Sequence, residues 1–127
     1  MFFKIDAKEN YCLITPSSED LNVNVAVALQ QKCNELTQSG SSNYIIDMNR
    51  CKNLNDAAFQ TLVRLHQALY TRLESLVFIG ICKEINNKLQ QFDAQHMLNI
   101  APTIEEALDI ISMDQLERDI LGESEDK

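Results

Sequence analysis

Adjacent carboxylates such as Glu19-Asp20 and Glu105-Glu106, four cysteines (Cys12, Cys33, Cys51 and Cys82) and two histidines (His66 and His96) are the side chains of this 127-residue chain from which chemistry could be built. General acid–base work needs a carboxylate whose pKa is displaced inside a cleft, whereas neighbouring acids on loops and helix starts are solvated charge. The cysteines are widely spaced and form no Cys-x-x-Cys pair of the metal or redox kind. Cys12 and Cys82 fall in apolar runs, so they read as small buried hydrophobes of a reducing compartment. His66 shares a helical stripe with Phe59, Leu62, Val63, Leu69 and Leu73, which makes it a core or core-edge residue. His96 lies in a polar connector and is expected to face solvent. Three glycines, Gly40, Gly80 and Gly122, cannot build a phosphate-cradling loop. Neither a Gly-x-Ser-x-Gly elbow nor a His-Glu-x-x-His helix occurs. The reading is of a non-enzymatic chain with no catalytic residue, no metal and no cofactor.

The elements that would position these groups alternate between strand and helix. Phe2 to Ala7 and Tyr11 to Thr15 are short apolar stretches separated by Lys8-Glu9-Asn10, the pattern of a hairpin. A polar connector, Pro16 to Asn22, follows. Val23, Val27, Leu29, Cys33 and Leu36 then recur at helical spacing as far as Thr37, where Ser39-Gly40-Ser41-Ser42 stops the segment. Asn43 to Asn49, centred on Tyr44-Ile45-Ile46, has the continuous apolar character of a buried parallel strand. Asn55 to about Leu73 carries the strongest helical periodicity in the chain, with Asn55 or Asp56 placed to cap it. Leu76 to Cys82 reads as another buried strand, Lys83 to Phe92 as a shorter helix, and Met97 to Ala101 as a last weak strand. Thr103-Ile104-Glu105-Glu106 has capping-box spacing, so a helix begins at that threonine. The order ββαβαβαβα implies one α/β domain with a mixed four- to five-stranded sheet and about four helices, its parallel strands joined by right-handed crossovers.

Size and charge bound the partners. With 45% hydrophobic residues, the chain has apolar mass for one core. A net charge of −8 opposes binding to nucleic acid or to anionic lipid surfaces. No apolar run approaches the ~20 residues of a membrane span, and Met1-Phe2-Phe3-Lys4 lacks the order of a signal peptide. The expectation is a cytoplasmic protein with no direct membrane insertion. We divide it into a domain over residues 1–112 and an acidic extension over 113–127, which starts helical and ends in a frayed, charged tail from Gly122 to Lys127. Met113, Leu116 and Ile120 recur at helical spacing in that extension, and Thr103 to about Leu121 forms one long helix or two joined pieces. The stripe is covered either by the chain's own sheet or by a partner or second copy, as in a homodimer.

Ile45-Ile46-Asp47-Met48-Asn49 is similar to the strand ending in hydrophobic-Asp-Leu-Ser of the STAS domain family. Leu54-Asn55-Asp56-Ala57-Ala58-Phe59 falls where anti-sigma factor antagonists of that family carry hydrophobic-Asp-Ser-Ser-Gly-Leu. Ile81 to Ile85 and Ile100 to Leu108 resemble the family's last strands and final helix entry, so the likeness runs from about residue 2 to 112. It implies a bacterial regulator of transcription that docks onto an anti-sigma factor which is also a kinase, and which phosphorylates the first serine of the Asp-Ser-Ser-Gly motif to break the complex. Here Asp56 holds the phosphoacceptor position, preceded by Asn55 and followed by Ala57 and Ala58, so ordinary serine phosphorylation is excluded. Asp56 then either serves only the helix start or permanently imitates the phosphorylated state, with −1 where phosphoserine carries about −1.5 to −2. The implied docking surface comprises Asp20, Asn22, Leu54, Asn55, Asp56 and Ala57, at the start of the Asn55 helix and in the nearby loops Ser17 to Asn22 and Cys51 to Leu54. The alternative role is that of a scaffold or subunit, resembling the STAS components of stressosome-like or lipid-transport assemblies.

Overall fold

The computed structural model describes the backbone of residues 3–92 and 97–125 and, within that set, the side chains as far as Ile120. His96 and Phe2 therefore lie outside the described residues. The chain runs β1 (Phe3–Ala7), β2 (Cys12–Pro16), β3 (Asp20–Leu21), α1 (Val23–Gln38), β4 (Asn43–Asp47), β5 (Asn53–Leu54), α2 (Asp56–Thr71), β6 (Ser75–Ile79), α3 (Lys83–Gln91) and α4 (Ile104–Glu125). Four strands form a mixed sheet in the order β1-β2-β4-β6, and β3 and β5 form a separate two-stranded sheet. The hairpin β1–β2 is antiparallel, while β2–β4 and β4–β6 are parallel. The α/β class, the mixed sheet and the four helices agree with the sequence reading. The weak strand expected at Met97 to Ala101 is reduced to one parallel bridge, Ile100 to Phe78. Its two hydrogen bonds, Phe78 N–H to the Asn99 carbonyl and Ala101 N–H to the Phe78 carbonyl, are both 2.9 Å long.

Side-chain alternation along the strands sorts the core into two layers. Ile14, Tyr44, Ile46, Leu76 and Phe78 face α1, α2 and α3, where they meet Leu29, Leu62, Leu65, Leu69 and Ile85. Ile45, Val77 and Ile79 face the other way, onto Ala107 and Ile111 of α4. Covering both faces explains why β4 and β6 read as continuous apolar runs. On α1 the inward face is Val25, Ala26, Leu29 and Cys33. Val23 and Val27, assigned to the apolar stripe from the sequence, are exposed instead. The helix is rotated so that the smaller Ala26 is buried in the core.

Helix ends follow local chemistry. Asn22 and Asn55 cap α1 and α2, their Oδ1 atoms accepting from the N–H of Val25 at 3.0 Å and of Ala58 at 2.8 Å. Both helices end in a residue of positive φ, Gly40 (105°) and Leu73 (62°). In each case the residues beyond the helix donate back to its last turn, Gly40 to Thr37 and Ser41 to Leu36, then Leu73 to Tyr70 and Glu74 to Leu69. Leu73 thus lies outside α2 and is 63% exposed, which removes it from the buried stripe expected of it. The strand expected to reach Cys82 stops at Ile79, because Gly80 turns the chain at φ 68°.

The capping contact at Thr103 is formed, its hydroxyl accepting from Glu106 N–H at 3.2 Å. From there α4 is a single helix through Glu125, so helix continues into the segment expected to be frayed. Two polar side chains fasten its middle: Asp114 accepts from the hydroxyls of Tyr70 (2.6 Å) and Ser75 (3.0 Å), and Arg118 donates to the Ser75 hydroxyl (2.8 Å).

Candidate functional site

The two-residue strands β3 and β5 bring the starts of α1 and α2 side by side. Asp20 pairs with Asn53 and Leu21 with Leu54, in parallel register. Each strand runs straight into a capping asparagine, so Asp20-Leu21-Asn22 and Asn53-Leu54-Asn55 are the same structural device used twice. Leu21 and Leu54 are buried, anchoring the pair to the core. The Glu19 carbonyl accepts from Lys52 N–H (2.7 Å) and Asn53 N–H (3.1 Å), and the Leu21 carbonyl from Asn55 N–H (3.3 Å). Above them the Asn53 amide donates to the Asp20 carboxylate at 2.7 Å. Both helix dipoles therefore present their positive ends at one edge of the molecule.

A groove of about 480 Å³ runs along this edge, floored by β3 and β5 and walled by Glu84, Ile85 and Lys88 of α3. Asp20, Asn22, Leu54 and Asn55 all line it. Leu54 is itself buried. Asp56 stands at the rim as the first residue of α2, its side chain 71% exposed, and Ala57 beside it is exposed. Asn55, not Asp56, makes the cap hydrogen bond. The Asp56 carboxylate instead pairs with Lys88 Nζ at 3.1 Å, and the same ammonium donates to the Leu54 carbonyl. Lys88 thus ties α3 to the start of α2 and offsets part of the Asp56 charge. Nothing local in the sequence marks it, because the contact joins positions more than thirty residues apart.

Next to the groove lie two of the four thiols, all of which are free. Cys51 is buried, and burial first, then the neighbouring Cys82 and Asp47, pushes its thiol up to about 11. Cys82, at the start of α3, is only partly covered, with its sulfur 3.8 Å from the Lys52 carbonyl. Under β6, Asp47 Oδ1 accepts from Asn49 N–H at 3.1 Å, closing the turn that leads from β4 toward β5.

This order of elements, with a helix start framed by the turn after β4, is matched by a family model for the STAS domain over residues 3–107. The chain belongs to the STAS family. Solved structures of similar fold include a Thermotoga maritima protein proposed to be an anti-sigma factor antagonist, with TM-score 0.76 and 13% identity, covering 87% of this chain and 94% of that one. Moorella thermoacetica RsbS with a serine-to-glutamate change has TM-score 0.69 and 13% identity, with 91% and 97% covered. The Bacillus cell fate determinant SpoIIAA in its phosphorylated form has TM-score 0.61 and 13% identity, with 87% and 99% covered. No match was found among curated protein sequences. The STAS match ends at residue 107, inside α4, so the helix continues well past it. No helix among the described residues is long and apolar enough to cross a membrane.

Proposed function

We propose that this STAS domain is a non-enzymatic regulator that docks a protein partner, an anti-sigma factor or a related kinase-like protein, on the edge formed by β3, β5 and the first turn of α2. The observation that carries this reading is the carboxylate of Asp56, exposed at the start of α2 where the family's antagonists carry a phosphorylatable serine. Two asparagine-capped helix starts and the groove beside them form a rigid platform, since each is held by the paired strands beneath. A fixed charge on such a platform biases partner affinity without a chemical cycle: it repels an acidic partner face and recruits a basic one. The Lys88 ion pair tempers this bias, because only part of the charge is left for a partner.

The test uses the partner captured by the tagged full chain and identified by mass spectrometry. Calorimetry then compares wild type, Asp56→Asn and Asp56→Ser. Asn retains the side-chain shape while removing the charge, so affinity should change by about tenfold, as expected where a close charge pair is worth ~1.4 kcal/mol. Asp56→Ser should in addition accept phosphate from a cognate kinase. Equal affinity for wild type and Asp56→Asn would show that the charge serves only the helix start. A photo-crosslinking residue at Ala57 that captures no partner would remove the surface itself.

A further inference from the structure

We infer that the second half of α4 is a separate docking strip for a basic amphipathic helix of a partner protein. Ala107, Ile111, Asp114 and Arg118 form the inward line of α4, the first two buried and the last two bonded to Tyr70 and Ser75. At 100° per residue, Met113, Leu116 and Ile120 lie on the opposite side of the helix, about 160° away from that line. They are 62%, 60% and 54% exposed. The chain's own sheet cannot cover them without unseating Asp114 and Arg118, which removes the first of the two alternatives the sequence left open for the stripe. Their 3-4 spacing is that of a helix-pairing seam, and a short seam of this kind suits one partner helix.

Charge selects the occupant. Exposed Asp109, Glu117 and Asp119 rim the strip, and the helix as a whole carries eight acidic residues against Arg118 alone. A second copy would set these carboxylates against their own equivalents in either orientation, and an anionic lipid surface would meet the same repulsion. A helix with leucine-like residues on one face and Lys or Arg on its flanks buries the strip and pairs the rim together.

Fluorescence anisotropy on the full chain provides the test, with two labelled 18-residue probe helices of leucine at 3-4 spacing, one filled out with lysine and one with glutamate. The leucine–lysine probe should bind and the leucine–glutamate probe should not. Met113→Gln with Leu116→Gln, and separately Asp109→Lys with Glu117→Lys, should each weaken binding at least tenfold. Asp56→Asn should leave it unchanged, which separates this strip from the edge at α2. Equal binding of both probes, or unchanged affinity in the glutamine double variant, overturns the inference. So does a wild-type dimer in sedimentation that the glutamine variant converts to monomer, since a second copy would then be the occupant, and so does co-sedimentation with phosphatidylglycerol vesicles.

Discussion

At the scale of single residues, two positive-φ positions make opposite predictions. Gly80 brings the end of β6 against the β4 turn, where an added Cβ would lie 2.6 Å from Asp47 Oδ1 and 3.2 Å from Asn49 N. Gly80→Ala should therefore lose at least about 2 kcal/mol in urea unfolding, from left-handed strain together with the clash. Leu73 holds the same conformation with a side chain that is mostly in solvent. Leu73→Gly relieves a left-handed penalty of about 1–2 kcal/mol against a glycine entropy cost of about 0.5–1 kcal/mol, so it should raise stability by roughly 0.5–1 kcal/mol. The thiols differ as sharply. Burial pushes the Cys33 thiol up to about 12, with Glu74 adding to it, and Cys12 and Cys51 are likewise buried. Native protein treated with an aromatic disulfide reagent at pH 8 should release colour from Cys82 first, with the other three reacting only on unfolding.

At the scale of elements, α2 is held by its apolar face and its cap. Leu62 is fully buried between α2 and the sheet, and Leu62→Ala should cost about 2–5 kcal/mol. Loss of under half a kcal/mol, read by thermal or urea unfolding, would contradict that packing. Phe59 is likewise buried and stacks on Phe92 at 4.8 Å, while Val63 is only partly buried, a narrower inward face than the sequence stripe suggested. α4 is held by a polar anchor as well as by the buried Ala107 and Ile111. Asp114→Ala would leave the Tyr70 and Ser75 hydroxyls without their acceptor, an expected cost of about 2–3 kcal/mol for charged hydrogen bonds.

At the scale of the whole molecule, the seam between α2, β6 and α4 sets a pH response. His66 is half-buried, packs on Tyr70 at 4.5 Å between ring centres, and its Nδ1 has no hydrogen-bond partner among the described residues. Burial lowers its pKa below the ordinary 6.5, and Asp114 opposes this only in part. In the window just below that ordinary value, the unfolded chain takes up a proton that the folded chain resists, so stability is present above it and falls as pH drops through it. Urea midpoints measured at pH 7.5 and 5.5 should show this loss in wild type and a smaller one in His66→Leu. An identical pH dependence in the variant would place the acid sensitivity elsewhere.

What the sequence determined by itself is whatever repeats locally. The apolar runs around Tyr44 to Ile46 and from Leu76 onward, the helical periodicity from Asn55 to about Leu73 and the Thr103-x-x-Glu106 spacing can each be stated from neighbouring residues, although the sequence pattern ran on to Leu73 and Cys82 where the elements stop at Thr71 and Ile79. Tertiary structure alone decided the contacts that join distant segments. Strands of two residues, β3 and β5, have too little length for any period to appear, and they exist because Leu21 and Leu54 are buried together. Lys88 reaches Asp56 only once α3 has docked, and Leu73 takes its left-handed conformation because Glu74 must turn back onto Leu69. The stripe at Met113, Leu116 and Ile120 was legible as a stripe, yet its direction was not: an amphipathic pattern states that one face is apolar, and only the anchoring of Asp114 and Arg118 to β6 and α2 determines which face is left in water.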